Sequence, residues 1–79
     1  MEMTEEVLDF IAKNLVDNPD DVHITSTDSD GGVLLELRVN PEDMGKVIGK
    51  RGRTAKAIRT MIKAAGTREG INASVEIIE

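Results

Sequence analysis

Two glycines three positions apart, in Val47-Ile48-Gly49-Lys50-Arg51-Gly52-Arg53, do most to limit the folds open to this chain. Apolar residues recur at helical spacing on both sides, so the pair must turn one helix sharply into the next. Glycine has no Cβ, which frees the backbone for left-handed geometry and lets another backbone come close. Gly52 stands where the second helix would start, and the first N–H groups of a helix have no partner inside it. With Lys50 and Arg51 at its tip, such a loop suits a phosphate.

The chain around the loop is short. Its 79 residues are read as one domain, 1–79, near the lower size limit for a core without staples. There is no cysteine, which removes disulfides and thiolate metal sites. A cytoplasmic protein is expected, since a secreted domain this small often carries disulfides. Acids occupy the N-terminus where a signal peptide would carry cations, and no apolar run approaches the roughly 20 residues of a membrane span. The net charge is −5, unevenly spread. Residues 1–43 hold twelve acids and two bases, 44–68 hold eight bases and no acid, and 69–79 hold three acids and no base. Local field, not net charge, steers a polyanion to its site. A solvated helix face usually mixes signs to gain pairs one turn apart, so the acid-free stretch favours anion binding.

Periodicity orders the elements. Thr4 is placed to cap a helix running to Asp17, with Val7, Leu8, Ile11 and Leu15 at helical spacing and Phe10 expected in the core. Asn18-Pro19-Asp20 stops it, because the residue before proline leaves the helical region. Val22 to Thr27 and Val33 to Val39 read as strands joined through the turn cluster Asp28-Ser29-Asp30-Gly31-Gly32, a hairpin. Asn40, as cap, and Pro41, at the first helical position, open a short helix with Met44, Val47 and Ile48 on its apolar side. Gly45 inside it costs about 1 kcal/mol relative to alanine, which leaves either a packing or ligand-approach reason or a tolerated flaw. A longer helix is expected over Arg53 to Ala65, with Ala55, Ile58, Met61, Ile62 and Ala65 buried, Lys56, Arg59 and Lys63 as a cationic stripe, and Gly66 as C-cap. Ile71 to Ile78 closes as a strand. The fold class that follows is α+β, a two-layer domain with three helices on one face of a three-stranded sheet.

Three chemistries compete for Gly49-Lys50-Arg51-Gly52. A nucleotide P-loop needs G-x-x-x-x-G-K-[ST] after a strand. Here Gly45 to Gly49 is one residue short, Arg51 replaces the magnesium-binding hydroxyl, and a helix precedes the loop. That leaves a plain turn with solvated cations, or a clamp on the backbone of single-stranded nucleic acid. An enzyme is not expected. His23, the one histidine, lies on a polar strand face, and the acids sit at helix starts and turns. No cofactor and no metal site are expected.

The run from Met44 to Arg59, with Val47-Ile48-Gly49-Lys50-Arg51-Gly52 at its centre, resembles the KH signature. The order helix, strand, strand, helix, GxxG loop, helix, strand is similar to the type II KH fold. Pro41-Glu42-Asp43-Met44-Gly45-Lys46-Val47-Ile48-Gly49-Lys50 looks like the small bacterial KH proteins of the KhpA (YlqC) family. The resemblance implies single-stranded RNA as ligand, in a groove between the loop and a strand. Backbone N–H groups of Lys50 to Arg53 would meet phosphates, Lys50 and Arg51 would add charge, and Gly49 and Gly52 would permit close approach. Ile48, Ala55 and one face of Val33 to Val39 would floor the groove, though core packing explains Ile48 and Ala55 as well. Lys46, Arg53, Lys56 and Arg59 would extend the positive rim. It also implies pairing with a second copy and with a larger multi-domain KH protein of the Jag (KhpB) type, and a role as RNA chaperone or post-transcriptional regulator. A competing reading makes the chain a protein-interaction subunit whose loop serves a dimer contact. With Phe10 the only aromatic, aromatic stacking worth about 1–3 kcal/mol per base is scarce, so weak, salt-sensitive, sequence-tolerant binding is expected.

Overall fold

In the computed structural model, which describes residues 2–79 apart from the Ser29 side chain, the expected order of elements forms. Helix α1 spans Met3–Leu15, strand β1 His23–Ser29, β2 Gly32–Arg38, helix α2 Met44–Ile48, α3 Arg53–Arg68 and β3 Asn72–Ile77. Single 3-10 turns, Pro19–Asp21, Pro41–Asp43 and Lys50–Gly52, join them. The sheet runs β1-β2-β3, with β1 antiparallel to β2 and β2 parallel to β3. Parallel neighbours need a crossover connection. Here α2, the two-glycine loop and α3 are that crossover, so the loop sits at its midpoint.

Alternation along the strands places the core. Val33, Leu35 and Leu37 of β2 and Ala73 and Val75 of β3 point to the helices and are buried. Leu8 and Ala12 of α1 and Ile58 and Ile62 of α3 close over them. Leu8, Leu35, Leu37, Ile58 and Ile62 are fully buried, each worth about 1.5–3 kcal/mol in area removed from water. No helix among the described residues is long and apolar enough to cross a membrane.

Several boundaries move for physical reasons. Helix α1 starts a residue early because Glu2 caps it, its carboxylate accepting from the Thr4 amide at 2.9 Å. Thr4 is therefore buried inside the first turn, its hydroxyl also bonded to Glu2. The core stripe of α1 is Thr4, Leu8 and Ala12, and Phe10, about 200° round from Leu8, is 69 % exposed and not in the core. The hairpin turn contracts to Asp30-Gly31, with Ser29 paired to Gly32. Gly66 is no cap. A Cβ there would lie 2.7 Å from the Ile71 carbonyl, so glycine lets α3 run buried against β3 and continue to Arg68. The left-handed residue beyond the helix is Gly70. Met61 and Ala65 do not join the buried stripe as expected: Met61 is 46 % exposed and Ala65 only half-buried, and the stripe is Ala55, Ile58, Ile62 and Gly66.

Candidate nucleic-acid interface

The short helix α2 is fixed at its start. Asn40 Oδ1 accepts from the Glu42 amide at 2.8 Å and so caps the 3-10 turn Pro41–Asp43 that leads into α2, rather than α2 itself, which starts at Met44. Asp43 is fully buried and accepts from the Asp17 amide (3.2 Å), the Asn18 amide (3.0 Å) and Asn18 Nδ2 (3.1 Å). A buried carboxylate must be paired in this way or it would lose its charge. Burial pushes its pKa up, yet those three bonds and the Lys46 ammonium hold it below the ordinary carboxylate value. Lys46 Nζ lies 3.0 Å from Asp17 Oδ2 and 3.8 Å from Asp43 Oδ1. Its hydrogen bond to Asp17 and the surrounding acids raise its pKa. The end of α1 is thus tied to the start of α2, and Lys46 is committed to that tie.

At the other end, α2 stops at Gly49, whose amide donates to the Gly45 carbonyl at 2.8 Å. Gly49 has φ 75°, and a Cβ there would come within 2.7 Å of Thr54 Cβ. Position 49 therefore demands glycine on two counts. Lys50 is helical, then Arg51 turns left-handed at φ 59°, ψ 24°, followed by Gly52 at φ 73°, ψ 14°. Arg51 is the one non-glycine residue at positive φ among the described residues. A right-handed residue followed by a left-handed one turns successive N–H groups toward a common point, the nest arrangement that binds anions. The Gly52 amide donates to Gly49 and the Arg53 amide to Lys50, so two of the four donors expected to face a phosphate are spent inside the loop. The Lys50 and Arg51 amides donate to no backbone carbonyl among the described residues.

Lys50, Arg51, Arg53 and Lys56 are exposed and form no ion pair among the described residues. Helical spacing aligns Gly52, Lys56, Arg59 and Lys63 along one side of α3. Arg59 Nε donates to the Val75 carbonyl at 3.4 Å. Strand β3 is an edge strand, and in a parallel ladder alternate residues face the neighbour. The Asn72 and Ile78 amides donate toward β2, so Val75 presents its backbone to the open edge. Loop, cationic stripe and strand edge therefore share one side of the molecule. Ile48 is half-buried, whereas Ala55 at 4 % exposure is packed. The apolar face of β2 is sealed in the core and floors no groove. A Cβ on Gly45 would touch nothing within 4 Å, so packing does not explain that glycine.

The sequence reading missed the Asp43 anchor, Thr54 against Gly49, and the Val75 carbonyl as partner of Arg59. Asp43 looked like an ordinary first-turn acid. Its partners are 25 and 26 positions away, beyond any local signal.

The family model for the KhpA/KhpB KH domain matches residues 5–77. Over 74 residues the chain is 55 % identical to the RNA-binding protein KhpA of Clostridium perfringens, covering 94 % of this chain and 99 % of that protein. It is 53 % identical over 66 residues to the RNA-binding protein KhpA of Streptomyces coelicolor, 84 % of each. Identity to the RNA-binding protein KhpA of Aquifex aeolicus is 43 % over 79 residues, the full length of both.

Proposed function

Because this chain belongs to the KhpA/KhpB family of KH domains, we propose that it binds single-stranded RNA, holding the RNA backbone on Gly49-Lys50-Arg51-Gly52. The observation that carries this reading is the loop's left-handed turn, which leaves the Lys50 and Arg51 amides undonated beneath two unpaired cations. A phosphate accepts from those amides, and Lys50 and Arg51 neutralise its charge. Arg53, Lys56 and Arg59 continue the contact along α3 toward the β3 edge, and Ile48 offers aliphatic surface to a base. Lys46 contributes little, since Asp17 and Asp43 already hold it. Phe10 is exposed on α1, away from this stripe, so affinity rests on phosphates and tolerates many sequences. That suits an RNA chaperone or post-transcriptional regulator more than a sequence-specific reader. A single weak clamp gains from a second KH domain, such as one of the KhpB type, because linked sites multiply affinity.

The test is the double substitution Lys50→Asp with Arg51→Asp. Both side chains are exposed, so the melting curve should stay within about 0.5 kcal/mol of the parent. Affinity for a short single-stranded RNA, read by fluorescence anisotropy, should fall about 100-fold or more. Unchanged affinity in the folded variant would sink the clamp. If the variant instead lost only its ability to pair with another KH protein, the loop would be a protein contact.

A further inference from the structure

We propose that the open edge of β1 is a docking site for an extended, lysine- or arginine-bearing segment of a partner protein, which adds to the sheet as a further strand. The sheet has two open edges, β1 and β3. Hydrogen-bond parity fixes what β1 offers. The Asn72 and Ile78 amides donate to the Gly31 and Leu37 carbonyls, so the odd-numbered residues of β2 bond to β3 and its even-numbered ones to β1. Leu34, Glu36 and Arg38 stand opposite Thr27, Thr25 and His23. The backbone N–H and C=O groups of Ile24, Ser26 and Asp28 therefore point out of the sheet, and none of them bonds to a loop among the described residues. A strand edge of this kind is a template for another chain unless lysine, proline or a bulge blocks it. His23–Ser29 holds no lysine and no proline, and its register with β2 runs unbroken.

Charge selects the occupant. Residues 14–37 hold six acids and no lysine or arginine. Beside the β1 edge, on the side covered by α1, an open trough of about 570 Å³ is lined by Glu2, Glu5, Ser26, Asp28, Val33 and Ile71. The Glu2 carboxylate is spent on the Thr4 and Glu5 amides, but Glu5 and Asp28 form no ion pair among the described residues. Asp20, exposed in the turn just before β1, carries the same sign to the other end of the strand. Side chains alternate across a strand, so every second residue of an added strand hangs over this trough. A cation there meets Glu5 and Asp28, whereas a phosphate is repelled. A second copy of this chain pairing edge to edge would set acid against acid. The β3 edge is the reverse case, flanked by the cations of α3 and touched by Arg59 at the Val75 carbonyl, and it repels the same segment. The two edges of one sheet are thus sorted by charge, a polyanion to one and a basic strand to the other.

The probe is a blocked synthetic peptide as long as β1 that alternates lysine with valine. Amide exchange read by NMR on the full chain should show Ile24, Ser26 and Asp28 unprotected in the free protein and slowed when the peptide is added, with Ala73 and Val75 unaffected. Ser26→Pro removes an outward N–H without breaking the ladder to β2, a position at which an edge strand accepts proline. It should leave the fold intact and RNA affinity unchanged while weakening the peptide about tenfold or more. Neutralising the trough with Glu5→Gln and Asp28→Asn should weaken the peptide about tenfold as well, and a glutamate–valine peptide should not bind. Added salt should loosen the complex, since its flanks are ionic. The Lys50→Asp, Arg51→Asp variant should bind the peptide as the parent does, which separates this surface from the RNA reading. No binding of the lysine–valine peptide, protection on β3 in place of β1, or loss of the peptide with the loop aspartates overturns the proposal. So does binding that survives Ser26→Pro, which marks attraction of charge without a strand. If Ser26→Pro fails to fold, the neutralised variant and the amide pattern decide the matter.

Discussion

The two ends of α2 lie only five residues apart and use charge in opposite ways. At its start, Asp43 is buried, accepts three hydrogen bonds and holds Lys46 with the help of Asp17. At its end, Lys50 and Arg51 stand in solvent with no acid among the described residues near enough to pair. Both ends lie within or beside the same acid-free run, and a charge count treats Lys46 and Lys50 alike. The difference teaches that a basic patch is not a list of basic residues. A cation already neutralised by the fold releases few counterions when a phosphate arrives, whereas a free one releases nearly its full share.

The strongest way to break this contrast is at Gly49. Gly49→Val adds a side chain where φ is 75° and where Thr54 fills the space. Stability should drop by about 2–4 kcal/mol in a thermal melt, and RNA binding should be lost even in the folded fraction. A salt titration of RNA affinity sharpens it next. With Lys50, Arg51, Arg53, Lys56 and Arg59 on phosphates, log K against log salt should have a slope of about −3.5, at roughly −0.7 per contact. Lys56→Ala should bring that slope nearer zero by about 0.7, and Lys46→Ala should leave it unchanged. A slope that moves equally for both lysines would erase the distinction between a spent cation and a free one.

Asp43 supplies the converse test, on stability. Its pKa in the folded chain is below the ordinary 3.8, so the stabilisation it gives is present above that value and is lost as pH falls through the folded value. The parent should therefore lose stability below about pH 4, measured as denaturant midpoint against pH. Asp43→Asn should lower the melting temperature by several degrees at neutral pH and flatten that acid limb, with neutral-pH RNA affinity of the folded chain little altered. The smallest effect is expected at Arg51. Its left-handed conformation costs roughly 1–2 kcal/mol for a residue with a Cβ, and glycine returns about 0.5–1 of that as lost chain entropy. Arg51→Gly should thus gain up to about 1 kcal/mol while weakening RNA binding several-fold through its lost charge.

Much of this molecule could be read before any fold was in hand. The element order, the two-layer α+β class and the position of the loop follow from local periodicity. Val33, Leu35 and Leu37 alternate as a half-buried strand must, and Asn40-Pro41 starts a helix by its own chemistry. Errors fell where one helix had to choose among faces. A large apolar side chain such as Phe10 reads as core, but α1 offers the sheet only the side that holds Thr4, Leu8 and Ala12. Gly66 reads as a stop, because nothing local says that β3 passes too close for a Cβ.

By itself, then, the sequence determined the elements, their order, and the segregation of eight bases into one acid-free stretch carrying the GxxG loop. These are properties of near neighbours, set by backbone preferences and by repeats of two and 3.6 residues. The tertiary structure alone decided that Asp43 is buried, that Lys46 is spent and Lys50 free, that Arg59 reaches the open edge of β3, and that Phe10 faces out. Each of these depends on groups brought together from distant positions, 26 residues apart for Asp17 and Asp43. Burial and pairing are settled only when the layers close.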